Sequence, residues 1–558
     1  MSVTGNICVW NALNIGSGGA TTLSEGNLKC VMTGADPRTT GTIGGIPADT
    51  DGYYFETVAT AIGGGALTLG VVNEDRHNLC MSGQIHSRSG SFMWRSYDNG
   101  QFFNATTTVT SYGAFADGDI LGWFVKGGKV YVKKNNSNVV GDVAAGSNGL
   151  TITGNFFFPA ISRTVGGGDA TTCTLITDSG SWNYTPPSGF KSLSAKDMTI
   201  GSGIDPAGDD GEDGNPKKQF GVVTYAGTGN NGNAITGLGF QPDMLWLKQR
   251  DADSDYSNAI VDSSRGRTKV IYSHDTRVER TSPANKDVKS FDSDGFTVDA
   301  SEEIGINSGT GTYLAWGWKC NAGTTATNTS GTLASTVQAN QAAGFSMVQY
   351  TSTATDVTIG HGLSSPVDFY FIKKRNDQAR DALTYHRSLG PSKYLKLNDS
   401  AAAGTDTGLW NNTDPSSTVF HVDGNTTEVN NPSGVAYIAY CWHGVKGMSH
   451  FGIFTGTNNT AGAFVYTGFR PKMLFIKSST AGENWAVFDT ARNTYNTVDK
   501  GVFWNSNVAE TTGSGGGFDI DFISNGFKLR ASHDNINGAQ TYVYGAWGDV
   551  PFKYSNAL

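Results

Sequence analysis

Residues Pro242–Lys248 read PDMLWLK, a short apolar run that begins with a proline and ends with a lysine. Two further stretches share this pattern: Pro366–Lys373 reads PVDFYFIK and Pro471–Lys477 reads PKMLFIK. Aromatic and branched side chains in runs of this length predict β-strands. The C-terminal two-thirds of the chain therefore uses one strand motif three times.

Each of these strands stands between an earlier and a later aromatic strand. The earlier strands begin at Phe220, Phe345 and Phe451. The later strands read YLAWGW, YIAYCW and YVYGAW. The proline and the closing tyrosine are 71 residues apart in every case, from Pro242 to Tyr313, from Pro366 to Tyr437 and from Pro471 to Tyr542. Because matched motifs keep one separation, we interpret them as an internal repeat.

The spacing predicts three homologous units, each of about 100 residues and large enough to hold its own core. We place them at 219–319, 345–443 and 451–558 and expect an array of small β-sandwich-type domains. Residues 320–344, rich in Ala, Thr and Asn, are predicted to be a linker. Residues 201–218, which are acidic and rich in glycine, are predicted to be a second linker.

Composition predicts an all-β, multi-domain protein. Glycine accounts for 74 of 558 residues, and charged residues for only 16%, against roughly a quarter in average soluble chains. Short strands joined by Gly- and Asn-rich turns have this composition, whereas long helices need more Leu, Glu and Lys. With 29 Phe, 21 Tyr and 12 Trp the chain can fill sizeable cores.

Charge and hydropathy exclude several function classes. A net charge of −9 without a basic stripe argues against nucleic acid as a partner. We find no apolar run long enough for a membrane span and no signal peptide, so we expect folding in the cytoplasm of the producing cell. The six cysteines are far apart, which predicts buried free thiols rather than a zinc site or a disulfide framework.

The N-terminal 200 residues carry a different series of strand motifs. Tyr53–Glu56 is an aromatic strand ending in glutamate, and LTLGVVNED follows from Leu67. Gly127-Gly128 marks a hairpin before the alternating strand Lys129–Lys133. FFFPAIS and then WNYTPPSGFKSL, which starts at Trp182, complete the series.

This series resembles the SPRY family, over residues 1–200. The resemblance implies a bent β-sandwich of the kind used for protein recognition. The whole arrangement, a SPRY-like domain followed by repeats containing GLGFQPD at 237–243, resembles bacteriophage tail-fibre-like proteins. That resemblance implies a place on the exterior surface of a virion.

Two motifs resemble ligand loops. Gly227–Gly232 fits GxGxxG, but the continuation AITGLGFQPD indicates strand and turn, so we predict a hairpin loop rather than a dinucleotide site. Asp205–Asp213 is acidic but lacks the closing glutamate of a calcium loop. We interpret it as solvated linker and leave a calcium site open as the alternative.

No residue set has the spacing of a catalytic or metal centre. The nine histidines form no HExxH motif, and no GxSxG stands between strand and helix. His386 falls where the other units carry Asp262 and Asp489, which favours a structural hydrogen-bonding role. We therefore expect no catalytic residues, no metal and no cofactor. A pair of carboxylates in a cleft, as glycosidases use, has no fixed spacing in sequence.

Aromatic residues divide into predicted core and predicted surface. We assign Trp316, Trp442 and Trp547 to the core because they lie in the closing strands. Trp410, Tyr495 and Trp504 are predicted near loops, where they would be able to stack on sugars. The long segments Arg267–Ser290 and Ser400–Ser417 are predicted to matter most for binding.

The leading hypothesis is a non-enzymatic virion surface protein, of tail-fibre or tip type, that adheres to a host receptor through its loops. The alternative is a structural decoration or fibre protein that binds other virion subunits, and a third is a glycan depolymerase. Expected partners are virion structural proteins and a host-surface glycan or protein, with many copies or a homo-oligomer in the particle. The sequence shows no heptad shaft before the first domain, which favours a compact tip or a module mounted on another protein.

Overall fold

The structure is a computed structural model. It describes residues 8–15, 21–25, 27–33, 38–42, 46–47, 51–63, 66–75, 90–97, 99–104, 107–154, 156–164, 170–193, 215–251, 258–284, 286–300, 305–512 and 517–548. The acidic run Asp205–Asp213 lies outside these residues, so the predicted linker and the alternative calcium site stay predictions.

The described residues are nearly all β-structure, which confirms the predicted fold class. Three short 3-10 turns lie at Ser179–Ser181, Pro216–Lys218 and Arg387–Leu389. Packing divides the chain into two units, one of residues 1–201 with 463–466 and one of 202–462 with 467–558.

The described residues from 8 to 193 contain seventeen short strands. They are β1 (Trp10–Ile15), β2 (Thr21–Ser24), β3 (Lys29–Met32), β4 (Arg38–Thr42), β5 (Ile46–Pro47), β6 (Gly52–Ala61), β7 (Ala66–Asn73), β8 (Ser91–Arg95), β9 (Gln101–Asn104), β10 (Thr107–Ser111), β11 (Ile120–Lys126), β12 (Lys129–Lys134), β13 (Ser137–Val140), β14 (Leu150–Thr151), β15 (Phe156–Thr164), β16 (Thr171–Ile176) and β17 (Phe190–Lys191).

These strands form two sheets around one core, and all their pairs are antiparallel except the short parallel pair of β17 with β6. One sheet has the order β1-β4-β15-β7-β8-β9-β10, and the other has the order β13-β12-β11-β6-β16-β3-β2. The core includes Trp10, Trp94 and Trp123, all fully buried. The predicted hairpin is present, since Lys126 pairs with Lys129 across Gly127 and Gly128, whose φ angles are 54° and 67°.

The glutamate that ends the Tyr53–Glu56 motif is a buried anchor. Its carboxylate accepts hydrogen bonds from the Tyr54 hydroxyl at 2.8 Å, from the Asn183 backbone and side chain at 2.8 Å each, and from the Tyr184 amide at 2.9 Å. One buried charge thereby fastens the segment after Trp182 to strand β6. A buried carboxylate needs several such donors, because burial removes its water.

The described residues from 215 to 548 contain twenty-eight strands. In the first repeat they are β18 (Phe220–Ala226), β19 (Asn233–Thr236), β20 (Met244–Gln249), β21 (Ala259–Asp262), β22 (Lys269–Tyr272), β23 (Arg280–Thr281), β24 (Val288–Asp292), β25 (Gly295–Val298) and β26 (Thr312–Trp318). In the second they are β27 (Ala326–Asn328), β28 (Ser335–Asn340), β29 (Phe345–Thr351), β30 (Val357–Gly360), β31 (Phe369–Lys374), β32 (Leu383–His386), β33 (Lys393–Lys396), β34 (Gly404–Thr405), β35 (Val419–Val422) and β36 (Ala436–Trp442). In the third they are β37 (Ser449–Thr455), β38 (Phe464–Tyr466, assigned above to the first unit), β39 (Pro471–Ser478), β40 (Ala486–Asp489), β41 (Lys500–Phe503), β42 (Thr511–Thr512), β43 (Ile520–Ile523), β44 (Gly526–Leu529) and β45 (Thr541–Gly548).

The three repeats have one strand order in their large sheets. It runs β18-β26-β20-β21-β22-β23 in the first, β29-β36-β31-β32-β33-β34 in the second and β37-β45-β39-β40-β41-β42 in the third. The closing strand therefore lies between the opening strand and the proline-entered strand every time. A smaller sheet covers one face in each repeat and includes β19-β25-β24, β30-β35 and β43-β44 respectively.

The large sheets are buried on both faces, which explains why their strands are continuously apolar rather than alternating. Toward the small sheet, Leu245 and Leu247 belong to a core within the first repeat. On the other face, Trp246 belongs to a core that all three repeats share. Each lysine-terminated strand therefore lies between two cores, one toward the small sheet and one that all three repeats share.

Three equivalent tryptophans meet in the shared core. Trp318, Trp442 and Trp547 have ring centroids 5.9, 5.6 and 6.0 Å apart in the three pairs, at steep interplanar angles of 62° to 79°. Backbone register makes Trp318 the equivalent of Trp442, because each pairs with the phenylalanine that opens its repeat. The predicted core residues Trp316, Trp442 and Trp547 are all buried, which confirms that prediction, and the repeat equivalent of Trp442 and Trp547 is Trp318.

The first and second repeats each have a core of their own, as predicted, but the repeats are not independent of one another. The three repeats share one apolar core and form one unit. Residues 320–344 are not a linker, because β27 and β28 extend the large sheet of the second repeat and Cys320 is buried in the shared core. Cys320 and the other four described cysteines, Cys8, Cys30, Cys173 and Cys441, are buried free thiols, whereas Cys80 lies outside the described residues.

The lysine that ends each motif joins one repeat to the next. Lys248 Nζ donates to the carbonyl oxygens of Ser506 (3.2 Å) and Val508 (2.8 Å) in the third repeat. The Lys373 ammonium donates to the Asp275 carbonyl of the first repeat at 2.8 Å. Lys477 donates to the Ser400 and Ala401 carbonyls of the second repeat at 2.9 Å each. These contacts close the three repeats into a ring.

Replacing one of these lysines with methionine should weaken the ring. Burial lowers the pKa of Lys477 to about 8, so its side chain remains mostly charged at pH 7 and its bonds there are charge-assisted. We expect Lys477→Met to lower the free energy of unfolding by about 1–3 kcal/mol, since the carbonyl oxygens of Ser400, Ala401 and Ser478 lose a donor. Denaturant unfolding at pH 7 measures it. Lys446→Met, at an exposed lysine, is the control. Equal stability of the two variants would contradict a stabilising role for the Lys477 contacts.

Candidate functional site

The long segments predicted as binding loops are largely committed to contacts between repeats. In Arg267–Ser290, the Glu279 amide donates to the Arg375 carbonyl at 2.8 Å, and the Thr276 carbonyl accepts from the Arg380 amide at 3.1 Å. In Ser400–Ser417, the Ala403 amide donates to the Ser479 carbonyl at 3.0 Å. These stretches are therefore occupied by backbone hydrogen bonds between repeats, and the expectation that the segments bind a ligand stays a prediction for their other residues. Residues 405–408 and much of 411–417 remain exposed.

Two of the three junctions between repeats contain a buried ionic network. Arg265 bonds Asp262 at 2.6 Å and Glu279 at 3.0 Å, and Glu279 also pairs with Arg375 across the junction at 2.8 Å. The junction between the third and first repeats uses Asp489, Arg492, Glu510 and Arg250 in the same way. Opposite charges with several partners each can remain buried.

His386 occupies the corresponding strand position in the remaining junction. Its Nδ1 accepts from the Ser388 amide at 3.2 Å, and its Nε2 lies 3.1 Å from the Tyr544 carbonyl of the third repeat. Burial lowers the pKa of His386 to about 4. Both ring nitrogens are thus used by the fold, in agreement with the structural role predicted for this residue.

Two of the three predicted surface aromatics are in fact buried. Trp410 is fully buried and donates from Nε1 to the Lys393 carbonyl at 3.0 Å. Trp504 is 1% exposed and stacks on Trp246 at 4.2 Å. Segments that are distant in sequence cover both tryptophans, and local sequence does not indicate such cover. Tyr495 is 82% exposed and remains a candidate.

The GxGxxG segment is a loop that joins two sheets. It runs from β18 in the large sheet to β19 in the small one, so the predicted hairpin is wrong in connection although the absence of a following helix is as expected. Asn307 fastens the loop by accepting from the Thr228 amide at 2.9 Å and donating to the Asn230 carbonyl at 2.8 Å. Gly227 is required because a Cβ there would lie 1.9 Å from the Ser308 oxygen.

Tyr495 lies in the connection between β40 and β41, residues 490–499. Asn496 anchors this connection, since its amide group donates to the Phe522 carbonyl at 3.0 Å and accepts from the Phe522 amide at 2.9 Å. Val498 pairs with Ile520 by backbone bonds of 2.8 and 3.0 Å. The connection therefore lies along β43 and presents Tyr495 outward.

The charged groups near this connection are engaged with other groups. Arg530 pairs with Asp521 at 2.6 Å, Asp499 accepts from the Asn493 amide group at 2.8 Å, and Lys500 donates to the Arg492 carbonyl at 3.1 Å. The surface offers an aromatic ring and neutral polar groups, which suit stacking and hydrogen bonding. Of the three predicted surface aromatics, Tyr495 is the one that the structure leaves accessible to a ligand.

The described residues contain no grouping of three or more His, Cys, Asp and Glu side chains suited to a metal ion. Within the same residues, no helix has the length and apolar character that crossing a bilayer demands.

A family model described as a domain of unknown function, DUF7483, matches residues 215–551, and no curated protein matches the chain. Among solved structures, a human SPRY domain is 16% identical over 29% of this chain and 97% of its own, with a TM-score of 0.22. The SPRY domain of human HERC1 is 11% identical over 30% of this chain and 96% of its own, at 0.22. Carbohydrate-binding module CBM66 from Bacillus subtilis is 8% identical over 31% and 94%, at 0.20.

Proposed function

The chain belongs to the DUF7483 family of domains of unknown function, and for this member we propose a non-enzymatic role as a bacteriophage virion surface protein that adheres to the host cell. The proposal takes its setting from the sequence resemblance to tail-fibre-like proteins. The observation that carries the binding role is the exposed, anchored connection 490–499 with Tyr495 at its surface.

The architecture of the second unit supports binding through loops. Its large sheets are covered on one face by small sheets and on the other by the shared core, so their strands have no free face. Binding residues on such scaffolds lie in the connections, which a rigid frame positions. The charges at the junctions and around Tyr495 are paired, which favours neutral contacts over contacts with phosphate.

Purified chain should compete with phage particles for adsorption to host cells. A single neutral loop site binds weakly, so we expect weak competition by free chain. Competition by chain displayed in many copies on beads should be stronger by about 10²–10⁴-fold, because avidity raises the effective concentration. Little change between low and physiological salt is expected, since the charged groups near Tyr495 are engaged with other groups. Adsorption counts in both salts measure this.

The alternatives predict different results in the same assay. Unchanged adsorption in the presence of displayed chain would contradict adhesion. If particles lacking the chain also assemble poorly, a structural decoration role would replace it. Shortening of host glycan by purified chain, abolished by a carboxylate substitution, would instead establish a depolymerase.

A further inference from the structure

The connection that carries Tyr495 is longer than its counterparts in the other repeats. Between the equivalent strands, the first repeat has six residues, 263–268, and the second has six, 387–392. The third has ten, 490–499. The fold therefore closes this connection with six residues, and Thr494–Thr497 is an insertion that the strand arrangement does not need.

The inserted residues are held in place at both sides. Asn493, just before the insertion, donates to Asp499 at 2.8 Å and accepts from the Lys500 amide at 3.0 Å. Asn496, within it, makes the two bonds to Phe522 described above. An insertion of four residues with this many bonds loses little conformational entropy when a ligand binds, because the loop is already ordered.

Tyr495 uses none of these contacts and is presented to solvent. Among the described residues, only Tyr495 at 82% and Tyr97 at 65% are large hydrophobic side chains classed as exposed. Thr494, Asn496 and Thr497 beside it are also exposed. An aromatic ring beside hydroxyl and amide groups suits a sugar. The C–H groups of the sugar stack on the ring, and its hydroxyls bond to the polar neighbours.

We propose that the inserted loop Thr494–Thr497 is a glycan-binding site in which Tyr495 stacks on a neutral pyranose ring. This inference rests on the proposed adhesion function and names its ligand class. Neutral sugar is favoured over acidic sugar because Lys500 and Arg530 are already engaged, Lys500 with the Arg492 carbonyl and Arg530 with Asp521. Thr494 and Thr497 supply hydroxyls beside the ring.

The test is direct titration of the full chain with neutral hexasaccharides of glucose, of galactose and of N-acetylglucosamine. We expect one of them to bind the wild-type chain, and Tyr495→Ala to weaken it about tenfold or more, as truncating an aromatic anchor does. Tyr495→Phe keeps the ring and should bind within about twofold of wild type. Tyr97→Ala removes the other exposed tyrosine and should change nothing. Deleting Thr494–Thr497 gives the six-residue connection and should abolish binding while the chain still folds.

Each outcome separates this inference from the adhesion proposal. Failure of all three hexasaccharides to bind, or equal binding by Tyr495→Ala and wild type, overturns the glycan site. If the chain still competes for adsorption in that case, adhesion stands and uses another surface. If a hexasaccharide binds through Tyr495 but displayed chain does not compete with particles, the glycan site stands and adhesion fails.

Discussion

Trp318→Ala is expected to lower the free energy of unfolding of the second unit by about 3–5 kcal/mol, the cost of removing a large buried aromatic. Trp318 is 2% exposed and contacts Trp442 of the second repeat and Trp547 of the third. A cavity at this point therefore removes packing from all three repeats at once. We expect one cooperative transition at lower denaturant, with no separate melting of the first repeat.

Hydrogen exchange followed by mass spectrometry measures this result repeat by repeat. In Trp318→Ala, peptides from β26, β36 and β45 should lose protection together. Trp410→Ala is the matched control, because Trp410 belongs to the core within the second repeat. Its largest loss of protection should fall in that repeat. Loss confined to the first repeat in Trp318→Ala would contradict a shared core.

Acidification should destabilise the second unit through three buried histidines. Burial lowers the pKa values of His361, His386 and His450 to about 4 from the ordinary 6.5. The unfolded chain then binds more protons than the folded one between these values. Stability is complete above pH 6.5 and is lost as pH falls toward 4, by up to about 3 kcal/mol for each histidine.

Burial is the main cause of the lowered pKa values of His386 and His450, and the hydrogen bonds in the junction of the second and third repeats show what a further proton would disturb. His386 Nδ1 accepts from the Ser388 amide, so a proton there would face another donor. His450 Nδ1 lies 2.9 Å from the Tyr544 hydroxyl. Asp368 is the nearby carboxylate, and it is already paired with Arg387 at 3.0 Å.

Denaturant unfolding at several pH values between 7 and 4 measures the slope. His386→Gln removes one titrating group and should flatten the fall in stability by up to about 3 kcal/mol over that range. His421→Gln, at a partly exposed histidine, is the control and should retain most of the slope. A slope that is unchanged in His386→Gln would show that His386 accepts a proton equally well in both states.

Local sequence determined the strands and their repetition. PDMLWLK and its two relatives became β20, β31 and β39, and the constant separation to the closing tyrosine reflects their pairing with β26, β36 and β45. Gly127-Gly128 gave a hairpin because positive φ angles suit glycine. These features depend on residues close in sequence or on a repeat that sequence displays directly.

Local sequence predicts only part of the candidate site. Tyr495 was identified as a surface aromatic, but Trp410 and Trp504 were assigned with it and are buried. Nothing local distinguishes them, because the segments that cover them come from elsewhere in the chain. A comparison of connection lengths between repeats would have singled out Thr494–Thr497, since only the third repeat has ten residues there.

The sequence by itself determined an all-β chain with three related units, because strand propensity and periodicity are local properties. Tertiary structure alone decided that these units close into a ring around one core. The ring depends on contacts such as Lys248 with Val508, between residues 260 positions apart. The terminal lysine looks like an ordinary solvated strand end until a neighbouring repeat supplies carbonyl oxygens to it. Contacts between such distant residues depend on how whole sheets pack. The residue pattern of a strand does not indicate which partner covers each of its faces.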